Sequence, residues 1–241
     1  MTFLIFKRVK ITTFAAMLSS LCLLAMPTQA QDFDAVDEGM RLLETNDPTN
    51  FPKAFETLSS AAESGNPWGQ YQVGEMLFEG KGVSQDKPNA AIFYRRAADQ
   101  GIHWAQYKLG LMLLTGDAVP ARPAEAVDLL DKAASQGNIW ASYRLGEAYL
   151  QGNLITLDLT RAKFYLEKAA RLNNSWALLR LGEMYRDGIG VGLSLSDAEF
   201  LFEQSASLDN SQAMLALANL IEAKDGERAK TLRDNAARVA Q

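Results

Sequence analysis

Between about residue 34 and residue 223, apolar side chains recur at spacings of three and four, the rhythm of amphipathic helices, and the pattern returns every 36 residues. One unit shows it. Trp104-Ala105-Gln106-Tyr107-Lys108-Leu109-Gly110-Leu111-Met112-Leu113 predicts a first helix, stopped at Gly116 as a C-cap glycine stops one. Pro123 to Ala134 predicts a second helix, with Pro in its first turn and Gly137 just past its end. No segment alternates with period two for long enough to be a strand. The repeat is sharpest in its marked residues. All four tryptophans share one column, Trp68, Trp104, Trp140 and Trp176. Gly74, Gly110, Gly146 and Gly182 form a second column, continued by Ala218, and Gly80, Gly116, Gly152 and Gly188 a third. Ala54, Ala90, Ala126, Ala162 and Ala198 form a fourth.

The small residues have a physical job. A glycine inside a helix costs up to ~1 kcal/mol against alanine, so its return in four successive first helices implies a close helix–helix approach. Ala-Ala pairs at 61–62, 97–98, 133–134 and 169–170, then Ser205-Ala206, supply the same smallness from the second helices. The expected fold is all-α: an α/α superhelix, or solenoid, of about five 36-residue helix-pair repeats. It forms one domain over residues 31–223, with residues 224–241 as a capping helix or tail that closes the stack.

These residues resemble the Sel-one-like repeat family, relatives of the tetratricopeptide repeats. Ala177, Leu181, Gly182, Tyr185, Gly188, Gly190 and Val191 match the first half of its pattern, and Ala90, Phe93, Tyr94, Arg96, Ala97, Ala98 and Gly101 the second half. The 36-residue period also favours this family over the 34-residue tetratricopeptide. The sequence departs from the pattern at Leu154-Ile155, where Gly-Val is expected, and at Ala118 and Arg122, where Gly and Asp are expected. Less tight loops are expected there. The resemblance implies a right-handed superhelix whose first helices line a concave surface. It also implies a binding function, since the family serves mainly as adaptors in bacterial envelope and signalling complexes. Members include a periplasmic flagellar-motor component and periplasmic regulators of exopolysaccharide synthesis. The cysteine-rich branch of the family does not fit, because this chain lacks its cysteines.

The N-terminus carries an address. Lys7, Arg8 and Lys10 precede an apolar stretch from Ile11 to Met26, and Pro27-Thr28-Gln29-Ala30 offers a cleavage site after Ala30. Residues 1–30 therefore read as a signal peptide, and a periplasmic or secreted protein is expected. The rival reading is an uncleaved anchor, although the stretch is short of the ~20 residues that span a bilayer. A lipoprotein fits poorly, because Cys22 lies mid-way along the apolar stretch and follows Leu21. No integral span is expected in the mature chain.

Composition then narrows the chemistry. With 24 basic and 29 acidic residues the net charge is −5. Three of the cations lie in the signal, so the body is more acidic still and lacks the footprint of a nucleic-acid binder. One Cys and one His in the whole chain exclude a metal site built on those residues and a disulfide framework. No cofactor is expected, and no catalytic residue is assigned.

The candidate site is a stripe along the first helices. Trp140, Arg144, Glu147 and Gln151 fall at i, i+4, i+7 and i+11, opposite a core stripe of Ala141, Leu145, Ala148 and Tyr149. Its equivalents are Trp68, Gln72 and Glu75; Trp104, Lys108 and Leu111; and Trp176, Arg180 and Glu183. A Trp with a basic residue at i+4 could stack on it, giving a ladder suited to a peptide or envelope-protein partner, or to a cell-wall glycan such as peptidoglycan. Alternatively each Trp packs against the neighbouring repeat's loop. Glu147 and Glu183 face the groove from adjacent repeats at a conceivable glycosidase spacing, yet both sit on what reads as an exposed charged stripe. Gly188-Ile189-Gly190-Val191-Gly192 lacks the strand and the Lys-Ser/Thr of a phosphate loop. His103, at a helix start, reads as a capping or surface residue.

Overall fold

The computed structural model describes residues 28–240. The signal reading falls almost entirely outside the described residues. Within them lie twelve α-helices, one short 3-10 turn and no strand. The helices pair as hairpins: α1 (Thr28–Glu44) with α2 (Phe51–Glu63), α3 (Pro67–Glu79) with α4 (Lys87–Asp99), α5 (His103–Thr115) with α6 (Pro123–Ser135), α7 (Ile139–Gln151) with α8 (Leu159–Ala170), α9 (Ser175–Asp187) with α10 (Leu195–Ala206), and α11 (Ser211–Ile221) with α12 (Gly226–Val239). Each hairpin packs on the next, which makes an all-α solenoid. Six hairpins stack where the sequence columns count about five. The sixth arises because the basic tail folds back as α12 and buries Ala229 and Ala236 against α11.

One contact builds every hairpin but the last. The glycine of the first helix meets a bulky apolar residue 20 positions later on the second: Gly74 with Tyr94, Gly110 with Leu130, Gly146 with Leu166, Gly182 with Phe202. A methyl group placed on Gly146 would lie 2.6 Å from Leu166 Cγ, and one on Gly182 2.5 Å from a Phe202 ring carbon. Leu58, Tyr94, Leu130, Leu166 and Phe202 are all fully buried. The first hairpin uses the same contact through Gly39 and Leu58, 19 residues apart. Gly39 therefore belongs to the glycine column but sits one residue out of register, which hides it from a 36-residue count.

A second column also escapes the sequence reading. Asn66, Asn138, Asn174 and Asn210 are the N-caps of α3, α7, α9 and α11, each accepting backbone N–H groups at the helix start. Ile102 holds the equivalent place before α5 and makes no side-chain cap. The caps also reach backwards: Asn210 Nδ2 lies 3.4 Å from Ser175 Oγ, and Asn138 Nδ2 lies 3.2 Å from His103 Nδ1. Buried glutamines add a relay between repeats. Gln70 donates to the Ala62 carbonyl and accepts from Gln100, and Gln106 does the same with Ala98 and Gln136. These bonds satisfy polar atoms that the stacking would otherwise strand.

The hairpin loops correct one expectation. Ala118 does not loosen its loop: it adopts the left-handed conformation, φ 61°, that Gly82 and Gly190 hold in repeats one and four. All four loops close with one backbone bond of the same register: Asp86 N to Leu77 O at 2.8 Å, Arg122 N to Leu113 O at 2.8 Å, Asp158 N to Tyr149 O at 3.1 Å and Ser194 N to Tyr185 O at 2.9 Å. The loop with Leu154 is only slightly longer in that bond. The closure recurs whether or not that position is left-handed, because Leu154 makes it without a positive φ.

Two stability outcomes follow. Gly146→Leu forces Leu166 and the α8 backbone away and lowers stability by about 1–3 kcal/mol in chemical denaturation; an unchanged midpoint would show that the glycine contact is dispensable. Ala118→Gly relieves a left-handed alanine, and after the entropy cost of glycine in the unfolded chain it raises stability by about 0.5–1 kcal/mol.

Candidate binding face

The predicted stripe lies on the first helices, but its members divide into two groups. Trp68, Trp140 and Trp176 are 42%, 42% and 39% exposed, while Trp104 is partly buried beside His103. Three of the four Trp rings meet a tyrosine at i+3 edge-on: Trp68 with Tyr71, Trp104 with Tyr107, Trp140 with Tyr143. The expected stacking of Trp on the basic residue at i+4 is absent among the described residues. Lys108 lies over Phe78, 5.8 Å from its centroid, and Arg144 over Tyr143 at 6.0 Å.

The basic residues are drawn elsewhere by charge. Lys108 Nζ donates to Glu75 Oε2 at 2.9 Å, across from α5 to α3. Arg180 Nε stands 2.8 Å from Glu147 Oε1, across from α9 to α7. That approach is a close charge contact poorly aligned for a hydrogen bond; Arg180 donates instead from Nη1 to Glu183 Oε2 at 2.8 Å and, more weakly, from Nη2 to Glu147 Oε2 at 3.5 Å. A charge-assisted contact of this kind outweighs stacking on a half-exposed Trp, worth ~0.5–1 kcal/mol. Both cross-repeat pairs join the seventh position after one Trp to the fourth position after the next. The intervening rung has Leu111 in the acidic place, so Arg144 makes no ion pair among the described residues.

Glu147 corrects another expectation. It is buried, 8% exposed, and does not lie on an open charged stripe. Arg180 sits between Glu147 and Glu183 and contacts both carboxylates, so the pair is an ion triad and not two free carboxylates flanking a substrate. Burial disfavours the charge on Arg180, but the bond it donates to Glu183 and the charges of Glu147 and Glu183 outweigh it and hold the guanidinium protonated more firmly than usual. At the other rung, Glu75 also accepts from the Tyr94 hydroxyl. Burial, then the Glu75 charge, pushes that phenol well above the ordinary tyrosine range.

A cleft of about 310 Å³ opens beside the rungs. Phe78, Leu111, Met112, Leu114, Ala148 and Leu154 give it apolar walls, and Lys108, Asp117, Arg144, Glu147 and Gln151 its polar groups. No Trp lines it. The structure thus gathers Lys108, Arg144 and Glu147 at one cleft and leaves the tryptophans in a separate row one turn nearer the helix starts. Tyr94 and Phe78 complete the cleft, and no helical wheel of one repeat could place them, since they come from the preceding hairpin. The glycine run at 188–192 is the α9–α10 loop, with no strand before it among the described residues. No cluster of three His, Cys, Asp or Glu is placed to hold a metal among the described residues, and no described helix is long and apolar enough to cross a membrane.

A helical solenoid of 36-residue hairpins with this glycine contact defines a repeat-scaffold protein. The Sel1 repeat pattern matches residues 69–102, 105–138, 141–174 and 177–210, more than half of the chain, and the chain belongs to the Sel1 repeat family. None of the curated proteins matches it. Among solved structures, it is similar to a protective antigen of uropathogenic Escherichia coli strains displaying an SLR fold, with 28% identity and a TM-score of 0.81 over 89% of this chain. The match covers 47% of that antigen, so this chain spans about half its length. A Sel1 repeat protein from Oxalobacter formigenes is 27% identical with a TM-score of 0.78, over 92% of this chain and 93% of that one. An immunity protein from Pseudomonas aeruginosa, 20% identical with a TM-score of 0.54 over 87% of this chain and 82% of its own, shares the fold alone.

The ion triad yields a measurable coupling. Arg180→Met strands Glu147 and lowers stability by about 2–3 kcal/mol, toward the low end for a broken buried pair because Arg180 is a third exposed. Adding Glu147→Gln restores part of the loss. A double-mutant cycle with no coupling energy would show that the contact contributes nothing to the stack.

Proposed function

We propose that this protein is an exported, non-enzymatic adaptor that binds a protein partner in the bacterial envelope through the first-helix face. Sel1 repeats are protein–protein interaction modules as a family. The observation that carries the reading for this chain is the first-helix face itself: an open cleft with apolar walls and a charged rim, beside a row of half-exposed tryptophans. Trp and Arg are the residues enriched at interface hot spots. The acidic body argues against a nucleic-acid partner. Export is supported by the basic start, the apolar stretch Ile11 to Met26 and the small residue Ala30.

A second reading has one specific observation behind it. Trp68, Trp140 and Trp176 present their rings to solvent in a column, and such rings can stack on sugars of peptidoglycan or another cell-wall polysaccharide.

Affinity capture from the host's envelope fraction, with partners identified by mass spectrometry, tests the first reading. Trp140→Ala and Arg144→Ala are expected to weaken capture of a protein partner, by ~2 kcal/mol for a true hot spot. Trp140→Ala should cost only about 1–2 kcal/mol of stability, well below the ~3–5 of a buried Trp. Retention of the wild-type chain on purified peptidoglycan, lost with Trp140→Ala, would favour the glycan reading. N-terminal sequencing of protein made in its host should start at Gln31 or within a few residues; a full-length cytosolic chain would overturn export.

A further inference from the structure

The rungs between first helices follow one rule, and the exception marks a site. The residue seven positions after a Trp is Glu75, Leu111 or Glu147, and 33 residues later stands Lys108, Arg144 or Arg180. The first and third rungs close as ion pairs at 2.9 and 2.8 Å. The middle rung cannot close, because Leu111 offers no acceptor. The other charged groups of the cleft are already paired: Lys108 with Glu75, Asp117 with Lys87 at 2.9 Å, Glu147 with Arg180. Arg144 alone is exposed and without a carboxylate among the described residues.

We propose that this middle rung is a recognition site for an acidic-aliphatic segment of a protein partner, with a side-chain carboxylate on Arg144 and a neighbouring aliphatic side chain against Leu111. The proposal rests on the protein-binding reading and names the subsite and its ligand chemistry. The partner's carboxylate takes the place that Glu75 and Glu147 hold in the flanking rungs. A guanidinium offers a carboxylate two parallel N–H donors, and the apolar walls of Phe78, Leu111 and Leu154 around the rim strengthen that contact by excluding water. The same walls accept the adjoining aliphatic side chain. The cleft, about 310 Å³, is at the small end of ligand pockets, ~300–1,000 Å³, which suits a short anchor and not an extended ligand. Charge selects further. With one spare cation, and the carboxylates of Asp117 and Glu147 in its lining, the cleft suits a single negative charge and disfavours a dianionic phosphate.

The test is selection of a random heptapeptide display library on the full chain, followed by titration of a synthetic winner. Winners are expected to place Asp or Glu within two residues of Leu, Ile or Met. Replacing that acid by its amide should weaken binding at least tenfold. Arg144→Gln should do the same without a change in melting, since the side chain is exposed. Leu111→Glu should also abolish binding, because it supplies the missing carboxylate within the chain; if that variant folds poorly, Arg144→Gln carries the test. Winners without an acidic residue, or a winner whose affinity ignores Arg144→Gln, would overturn the proposal. A winner that depends on Trp140 and not on Arg144 would overturn it too, while leaving the protein-binding reading standing.

Discussion

The fold depends on one steric fact: a helix backbone stripped of its Cβ lies against the bulky side chain 19 or 20 residues further on. Each of Leu58, Tyr94, Leu130, Leu166 and Phe202 is buried on a glycine of the preceding helix. The chemistry of the bulky residue varies from branched aliphatic to aromatic, and the gap it fills does not. Glycine inside a helix is locally unfavourable, so the column can persist only where the interhelical packing it permits returns more than it costs. The Ala pairs serve the next interface: Ala97, Ala133 and Ala169 on the second helices are fully buried, which lets successive hairpins stack closely.

That packing also generates the polar rungs. Tyr94 fills its glycine gap with an aromatic ring whose hydroxyl then needs an acceptor in a water-poor place. Glu75 provides it, and having been fixed there it takes Lys108 from the next repeat. The third rung forms without a tyrosine at the equivalent place, Leu166, and there Glu147 is pinned by Arg180 alone across the repeat. The ladder is therefore a consequence of stacking one first helix beside the next at a fixed rise. Its charges hold register between repeats as well as decorating a surface.

The columns that repeat at exactly one period were legible in the sequence because each repeat solves the same packing problem with the same residue. Helix boundaries around Gly116 and Pro123, the core stripe Ala141, Leu145, Ala148 and Tyr149, and the family itself came from that regularity. What was not legible has one of two causes. Gly39 and the asparagine caps were hidden by single irregularities, a missing residue in one loop and Ile102 in one cap position. The true surroundings of Glu147, Lys108 and Arg180 were hidden because a helical wheel compares residues on one helix, whereas their partners lie 33 residues away on another. A charged residue on a wheel's outer stripe is exposed only if the neighbouring repeat leaves it so.

The two rows on the first-helix face differ in how far the fold satisfies them. Side chains of the rungs are accounted for by internal pairing, except at Arg144. Three of the tryptophans are not accounted for by packing: Trp68 and Trp140 meet Tyr71 and Tyr143 edge-on, and about two fifths of Trp68, Trp140 and Trp176 stays in water. Burial of a large apolar ring is favourable at roughly 25 cal/mol per Å², so a column of half-exposed indoles is surface that the fold alone does not stabilise. An unpaired guanidinium and uncovered indoles on one face are both deficits that a partner can fill. They differ in kind, one demanding a carboxylate and the other only a flat apolar surface, and a partner engaging both would be fixed in chemistry by the cleft and in extent by the tryptophan row.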